Sequence, residues 1–159
     1  MLIGRLVVLL AMANGAPVLA KKLMGNLFAV PLDGGVAFMD GRPLFGTSKT
    51  IRGIVLSVVT TSLGAPLVGL DWKLGALTAT GAMVGDLFSS FVKRRLDLPP
   101  SSMAIGLDQI PESLIPLILC RLQLPVTALD IAVGVTLFFI GELILSRLLF
   151  MAHVREQPF

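Results

Sequence analysis

Long apolar runs separated by short polar segments dominate this chain. Runs at about residues 1–20, 54–70, 74–92, 107–124 and 128–150 each come close to the ~17 to 25 residues that cross a bilayer core as a helix. The fourth is the weakest. Glu112, Arg121, Pro111 and Pro116 interrupt it, which suits a kinked helix entering from a re-entrant loop better than a straight crossing. The pattern predicts an all-α integral membrane protein with about five transmembrane helices, read as a single membrane-embedded domain over residues 1–159.

Two polar segments, residues 21–53 and 93–106, stand between the runs. The first is too long for a mere connector. Within it, Asp33-Gly34-Gly35 lies between the apolar stretches 27–32 and 36–39. Asp-Gly in that setting favours a turn needing positive φ, so a short β-hairpin or an ordered loop is expected there.

Composition agrees with the membrane class: 55% of residues are hydrophobic, 14% are charged, and the mean hydropathy is +0.89. These values lie far from soluble-protein averages. A net charge of +3 and a pI near 9.5 raise the question of nucleic acid. No basic run exceeds Lys93-Arg94-Arg95, however, and the charges sit between apolar runs, so topology explains them and no nucleic-acid partner is expected.

Lys21, Lys22, Arg42, Lys49, Arg52, Lys93, Arg94, Arg95, Arg147 and Arg155 all fall on one side of a five-span arrangement. Lys73 falls on the other, with Arg5 and Arg121 near span ends. The positive-inside rule then places the N-terminus outside, and the C-terminus and both polar segments in the cytoplasm. The first twenty residues could be read as a secretory signal, but Lys21 and Lys22 follow them and a retained span fits the charge distribution better. Cys120 is the lone cysteine, so neither an intrachain disulfide nor a cysteine metal cluster can form. Oligomeric state does not follow from these patterns.

Ionisable residues in or beside a span are costly in lipid and are candidates for function. Asp86 is the sharpest. On a helix it shares a face with Ser90 and Lys93, with Ser89 beside them. A carboxylate, hydroxyls and an ammonium on one face suit a hard cation such as Mg²⁺, which takes carboxylate, water and phosphate oxygens. An ion pair from Asp86 to Lys93 or Arg94 that only stabilises the helix end is the alternative. Gly81 and Gly85 form a small-xxx-small pattern that would let a second helix approach.

Asp108 and Glu112, four residues apart, could bring carboxylates there, or could serve as an N-cap and a first-turn acid. The segment 40–53, with Lys49 and Arg52, is dense in glycine, hydroxyls and cations. It suits phosphate binding or positive-inside anchoring equally, and it is not a Walker loop. His153 reads as a tail or interface residue, Trp72 as an anchor at the outer interface, and Glu142 as facing the bundle or pairing internally.

Residues 86–95, Asp-Leu-Phe-Ser-Ser-Phe-Val-Lys-Arg-Arg, and 106–112, Gly-Leu-Asp-Gln-Ile-Pro-Glu, resemble the CDP-archaeol synthase family of CTP-dependent cytidylyltransferases, as do residues 31–35 and 40–53. Residues 90–94 are more distantly similar to a block of the CDP-diacylglycerol synthases. There, Asp108 matches a metal-binding Asp, whereas Gln109 stands where arginine is usual.

The resemblance implies transfer of CMP from CTP to an unsaturated archaetidic acid, a glycerol phosphate carrying two ether-linked geranylgeranyl chains. It implies Mg²⁺ on Asp86 and Asp108, with Glu112 as a further metal ligand. Asp86, Lys93 and Asp108 would be catalytic, and Lys49, Arg52, Ser89, Ser90, Arg94 and Arg95 would bind substrate. Activity on phosphatidate, or a non-enzymatic small transporter or membrane scaffold, are the alternatives. A CDP-alcohol phosphotransferase is disfavoured, because the sequence after Asp40-Gly41-Arg42 does not continue in that family's pattern.

Overall fold

The computed structural model describes residues 1–151, so His153 and Arg155 lie outside the described residues. Five helices follow in order: α1 (Leu2–Met24), α2 (Ile51–Gly64), α3 (Trp72–Arg95), α4 (Gln109–Arg121) and α5 (Ala128–Met151). A 3₁₀ turn, Ala65–Val68, extends α2. Three segments, Leu2–Met24, Ile51–Val68 and Ala128–Leu148, are long and apolar enough to cross a membrane. With 24 residues α3 is long enough as well, although its charged end lowers its apolarity. With 13 residues α4 spans only about 20 Å at 1.5 Å per residue, short of a straight crossing of a ~30 Å core.

Local chemistry sets the ends. Thr50 caps α2 by accepting from Gly53 N–H at 3.1 Å, and Asp71 caps α3 by accepting from Lys73 N–H at 2.7 Å. Thr127 and Asp130 cap α5 reciprocally, each side chain accepting from the other's backbone N–H, at 3.1 and 2.9 Å. Gly69 ends the 3₁₀ turn in the left-handed region.

Helix α3 is the centre of the bundle and touches α1, α2 and α4. Small residues make this possible. A Cβ on Gly75 would meet Thr61 O at 2.6 Å, and one on Gly85 would meet Pro111 O at 2.3 Å. The backbones of α2 and α4 therefore close directly on α3, as the Gly81/Gly85 pattern predicts. Leu6, Leu10, Ala13, Ala79, Ala82, Met83, Leu117 and Cys120 fill the shared core. Val55, Val59, Leu63, Leu137, Ile140 and Ile144 remain exposed, as a lipid-facing surface requires.

The 25–50 segment is an ordered loop. Isolated antiparallel bridges join Pro31 to Thr50 and Ala37 to Pro43, and no strand forms among the described residues. Gly34 and Gly35 do supply the expected positive φ, at 56° and 82°. Asp33 organises the turn, its carboxylate accepting backbone N–H groups from Gly35 at 3.1 Å, Phe45 at 2.9 Å and Gly46 at 3.0 Å. Partial burial opposes charge on Asp33. The three N–H donors outweigh it and hold the carboxyl below the usual carboxylate range.

Candidate functional site

The last turns of α3, the start of α4 and the 25–50 loop meet at one end of the bundle, and the tertiary pairing of charges begins there. Lys49 Nζ lies 2.5 and 2.6 Å from the two carboxylate oxygens of Asp86. Their side chains are only 21% and 19% exposed, so little water intervenes. Burial disfavours the Lys49 ammonium, but Asp86 more than offsets this and holds its pKa above the ordinary lysine value. The carboxyl of Glu112, in the first turn of α4, is buried and interacts electrostatically with Asp86 and Lys49.

A second pair lies beside the first. Lys93 Nζ is 2.7 Å from Asp108 Oδ1, and the two side chains are 7% and 10% exposed. Lys93 also donates to Ser102 O at 2.8 Å. Asp108 precedes α4 without capping it, because its Oδ2 accepts from Ala104 N–H at 2.9 Å instead. The capping alternative for Asp108 is thus replaced by an ion pair and a loop contact. Ser89 donates to Leu107 O at 2.7 Å and bridges α3 to that loop. Ser90 Oγ, in a residue 2% exposed, has no hydrogen-bond partner among the described residues.

The remaining basic residues divide into different tasks. Arg94 donates to Pro99 O at 2.8 Å and lies against Gly46, where a Cβ would meet its Nη1 at 2.9 Å. Arg52 donates to the carbonyls of Leu27 and Gly25, tying the start of α2 to the end of α1. Arg95 holds the loop. Its guanidinium lies 4.9 and 4.8 Å from the rings of Phe38 and Phe91, pairs with Asp40 at 2.9 Å and donates to Pro43 O at 2.6 Å. Arg42 reciprocates, donating to Arg95 O and pairing with Asp97 at 2.6 Å. Of the predicted cations, Lys49 and Lys93 meet the carboxylates, while Arg52 and Arg95 are committed to backbone and loop contacts.

Three contributors escape sequence reading. Asp33 acts through a turn whose N–H donors lie up to thirteen residues away. Phe38 reaches Phe91 edge-on at 5.3 Å across the tertiary fold. Gln109 is fully buried, and its Oε1 accepts from Gly106 N–H at 2.7 Å. The i, i+4 spacing of Phe91 and Arg95 was the one local signal that could have indicated the cation–π contact.

No group of three or more His, Cys, Asp or Glu residues that could hold a metal ion occurs among the described residues. Mg²⁺ does not require one, because it is commonly held by one or two carboxylates plus water and phosphate oxygens. Asp86 and Glu112 fit that donor set.

An all-α bundle with lipid-facing helices and a buried carboxylate–lysine cluster at one end defines an integral membrane protein with a charged site. The chain belongs to the CarS-like family, described as CDP-archaeol synthase, whose model matches residues 6–155. It is 43% identical over 107 residues to the CDP-archaeol synthase of Pyrococcus furiosus, covering 61% of this chain and 60% of that protein. It is 32% identical over 152 residues to that of Thermofilum pendens, covering 92% and 74%. The match thus spans about 60% of the length of the first of these relatives. A solved structure described as an intramembrane enzyme for archaeal membrane lipids biosynthesis superposes with a TM-score of 0.73 at 27% identity, covering 87% of this chain and 90% of that one.

Proposed function

We propose that this protein transfers CMP from CTP to a lipid phosphate, an unsaturated archaetidic acid, giving a CDP-lipid and pyrophosphate. Family membership over residues 6–155 supports the reaction class. The observation that carries the reading to residues is the meeting of Asp86, Glu112 and Lys49 beside the Lys93–Asp108 pair.

A lipid phosphate is already an anionic nucleophile. One of its oxygens forms a bond to the α-phosphorus of CTP, and the bond from that phosphorus to the oxygen bridging to the β-phosphate breaks. Pyrophosphate leaves with the electron pair. No serine, cysteine or histidine is needed to activate the attack; the demand is positioning and charge neutralisation.

Asp86 and Glu112 would hold Mg²⁺, with Asp108 as a further carboxylate, and the metal when bound supplies charge neutralisation at the phosphates. Lys49 and Lys93 would neutralise phosphate oxygens, with Arg94 near Lys93 on the same helix end. Ser90 offers a buried hydroxyl whose hydrogen-bonding capacity is not used elsewhere among the described residues. Arg95 and Arg52 serve as positioning residues, because their guanidinium groups are occupied by the loop and by α1. The excess of Lys and Arg around this end supports a cytoplasmic site and an external N-terminus, and we read residues 1–159 as one membrane-embedded catalytic unit.

The test is purified protein with labelled CTP, Mg²⁺ and a panel of ether- and ester-linked lipid phosphates, following pyrophosphate and CDP-lipid together. Equal release of both with the ether-linked isoprenoid substrate is expected. CDP-lipid from phosphatidate alone would move the assignment to a CDP-diacylglycerol synthase. Absence of any CDP-lipid would remove the enzymatic reading in favour of a transporter or scaffold.

A further inference from the structure

We infer that Lys49 is a resident counter-cation for Asp86, so that the divalent metal ion and the nucleotide load together and neither loads well alone. This inference rests on the cytidylyltransferase reading. It begins with the contact itself. One ammonium spans both oxygens of Asp86, at 2.5 and 2.6 Å, where the two side chains are about four-fifths covered. A divalent ion that takes the side of Asp86 facing Lys49 must first displace that ammonium.

Displacement without nucleotide is unfavourable for two reasons. The expelled ammonium loses its carboxylate partner in a poorly solvated place, and it remains beside a doubly charged ion. Glu112 and Asp108 lie within electrostatic reach of Lys49, but Asp108 is already paired with Lys93 at 2.7 Å and Glu112 shares its surroundings with Asp86. A polyphosphate arriving alone fares no better. It meets the Asp86 and Glu112 carboxyl groups while the nearest ammonium is already engaged.

Together the two ligands resolve both problems. Phosphate oxygens complete the metal's coordination and also accept the released Lys49. The local geometry permits this exchange without undoing the fold. The loop is clamped to α3 through Asp40, Arg42 and Pro43 by Arg95, and Thr50 is fixed as the cap of α2. Lys49 lies between these anchors on a flexible four-carbon stem. Its ammonium can therefore change partner while its backbone stays in place. By linkage, metal and nucleotide must then raise each other's affinity by the same factor.

Mn²⁺ binding to purified protein, followed by electron paramagnetic resonance with and without CTP and corrected for Mn²⁺–CTP in solution, tests the inference. Wild-type protein is expected to bind Mn²⁺ at least about tenfold more tightly when CTP is present. Lys49→Met should tighten Mn²⁺ binding without CTP by about tenfold and shrink the effect of CTP, whereas Lys49→Arg should keep the wild-type pattern. Lys49→Gln provides the same comparison should the methionine variant not fold, and the wild-type measurement stands without either. Mn²⁺ affinity indifferent to CTP in the wild type, or metal-alone affinity unchanged in the neutral variants, would overturn the role of Lys49. Failure of labelled CTP to bind at any metal concentration would instead count against the cytidylyltransferase reading.

Discussion

Lys49, carried by a loop, and Asp86, carried by α3, form a bidentate contact of 2.5 and 2.6 Å. Thirty-seven residues separate them in the chain. The contact joins the cation-rich segment to the helix face bearing Ser90 and Lys93, and it turns two separate sequence features into one site. Several expected outcomes follow from this arrangement.

Asp86→Asn keeps the shape of the side chain but removes the charge that faces Lys49. On the proposed mechanism kcat should fall by roughly a thousandfold or more, equivalent to about 4 kcal/mol of transition-state stabilisation. Glu112→Gln should be the next most damaging of the acid replacements. Near-normal turnover of both variants at saturating CTP and Mg²⁺ would disprove the metal assignment.

Arg95→Lys retains a positive charge but cannot lie flat between Phe38 and Phe91 while reaching Asp40 and Pro43 O. The loop should loosen. We expect faster proteolysis within residues 25–50 and a several-fold rise in KM for CTP, with kcat less affected. If Arg95 instead contacts the reacting phosphates, kcat will fall steeply while loop protection stays normal.

Gly85→Ala places a methyl group 2.3 Å from Pro111 O. Backbone cannot yield as a flexible side chain does, so α4 must shift, carrying Glu112 away from Asp86. Overpacking of this kind costs about 1 to 3 kcal/mol, and thermal unfolding in detergent should report it. Gly4→Ala, where a Cβ meets nothing within 4 Å, is the control and should leave Tm the same or slightly raised, because alanine favours a helix over glycine.

Asp33→Asn removes the charge that collects three backbone N–H groups, at a cost of about 2 kcal/mol for hydrogen bonds to a charged acceptor. The folded carboxyl titrates below the usual range. Its contribution is therefore fully present above the ordinary carboxylate pKa of about 4 and is lost as pH falls through the lower folded value. The difference in Tm between wild type and Asp33→Asn should be constant near neutrality and shrink below about pH 4. A difference that persists unchanged into strong acid would show that Asp33 acts through shape alone.

The helices were legible because lipid imposes a simple rule: apolar runs of about twenty residues become helices, since a helix satisfies every backbone group within its own segment. Gly81 and Gly85 likewise announced a close helix contact, and α4 was marked as irregular by Pro111, Pro116 and Glu112. The residues of α3 could be placed on one face by counting turns. Loop pairing was harder. The Asp33 turn has its predicted positive φ, yet the flanking segments meet only at single bridges, because Asp33 and Arg95 hold the loop through contacts that no alternation of apolar and polar residues encodes.

By itself, then, the sequence determined the membrane class, the helices, the α3 face of Asp86, Ser90 and Lys93, and the resemblance that named a reaction. Only the tertiary structure decided how the charges are shared. Lys49 and Lys93 engage Asp86 and Asp108, whereas Arg95 and Arg52, equally basic in the sequence, are committed to holding the loop and α1. The physical reason is that a charge near a membrane must find a partner, and which partner it finds depends on helix approach distances and loop anchoring rather than on local spacing.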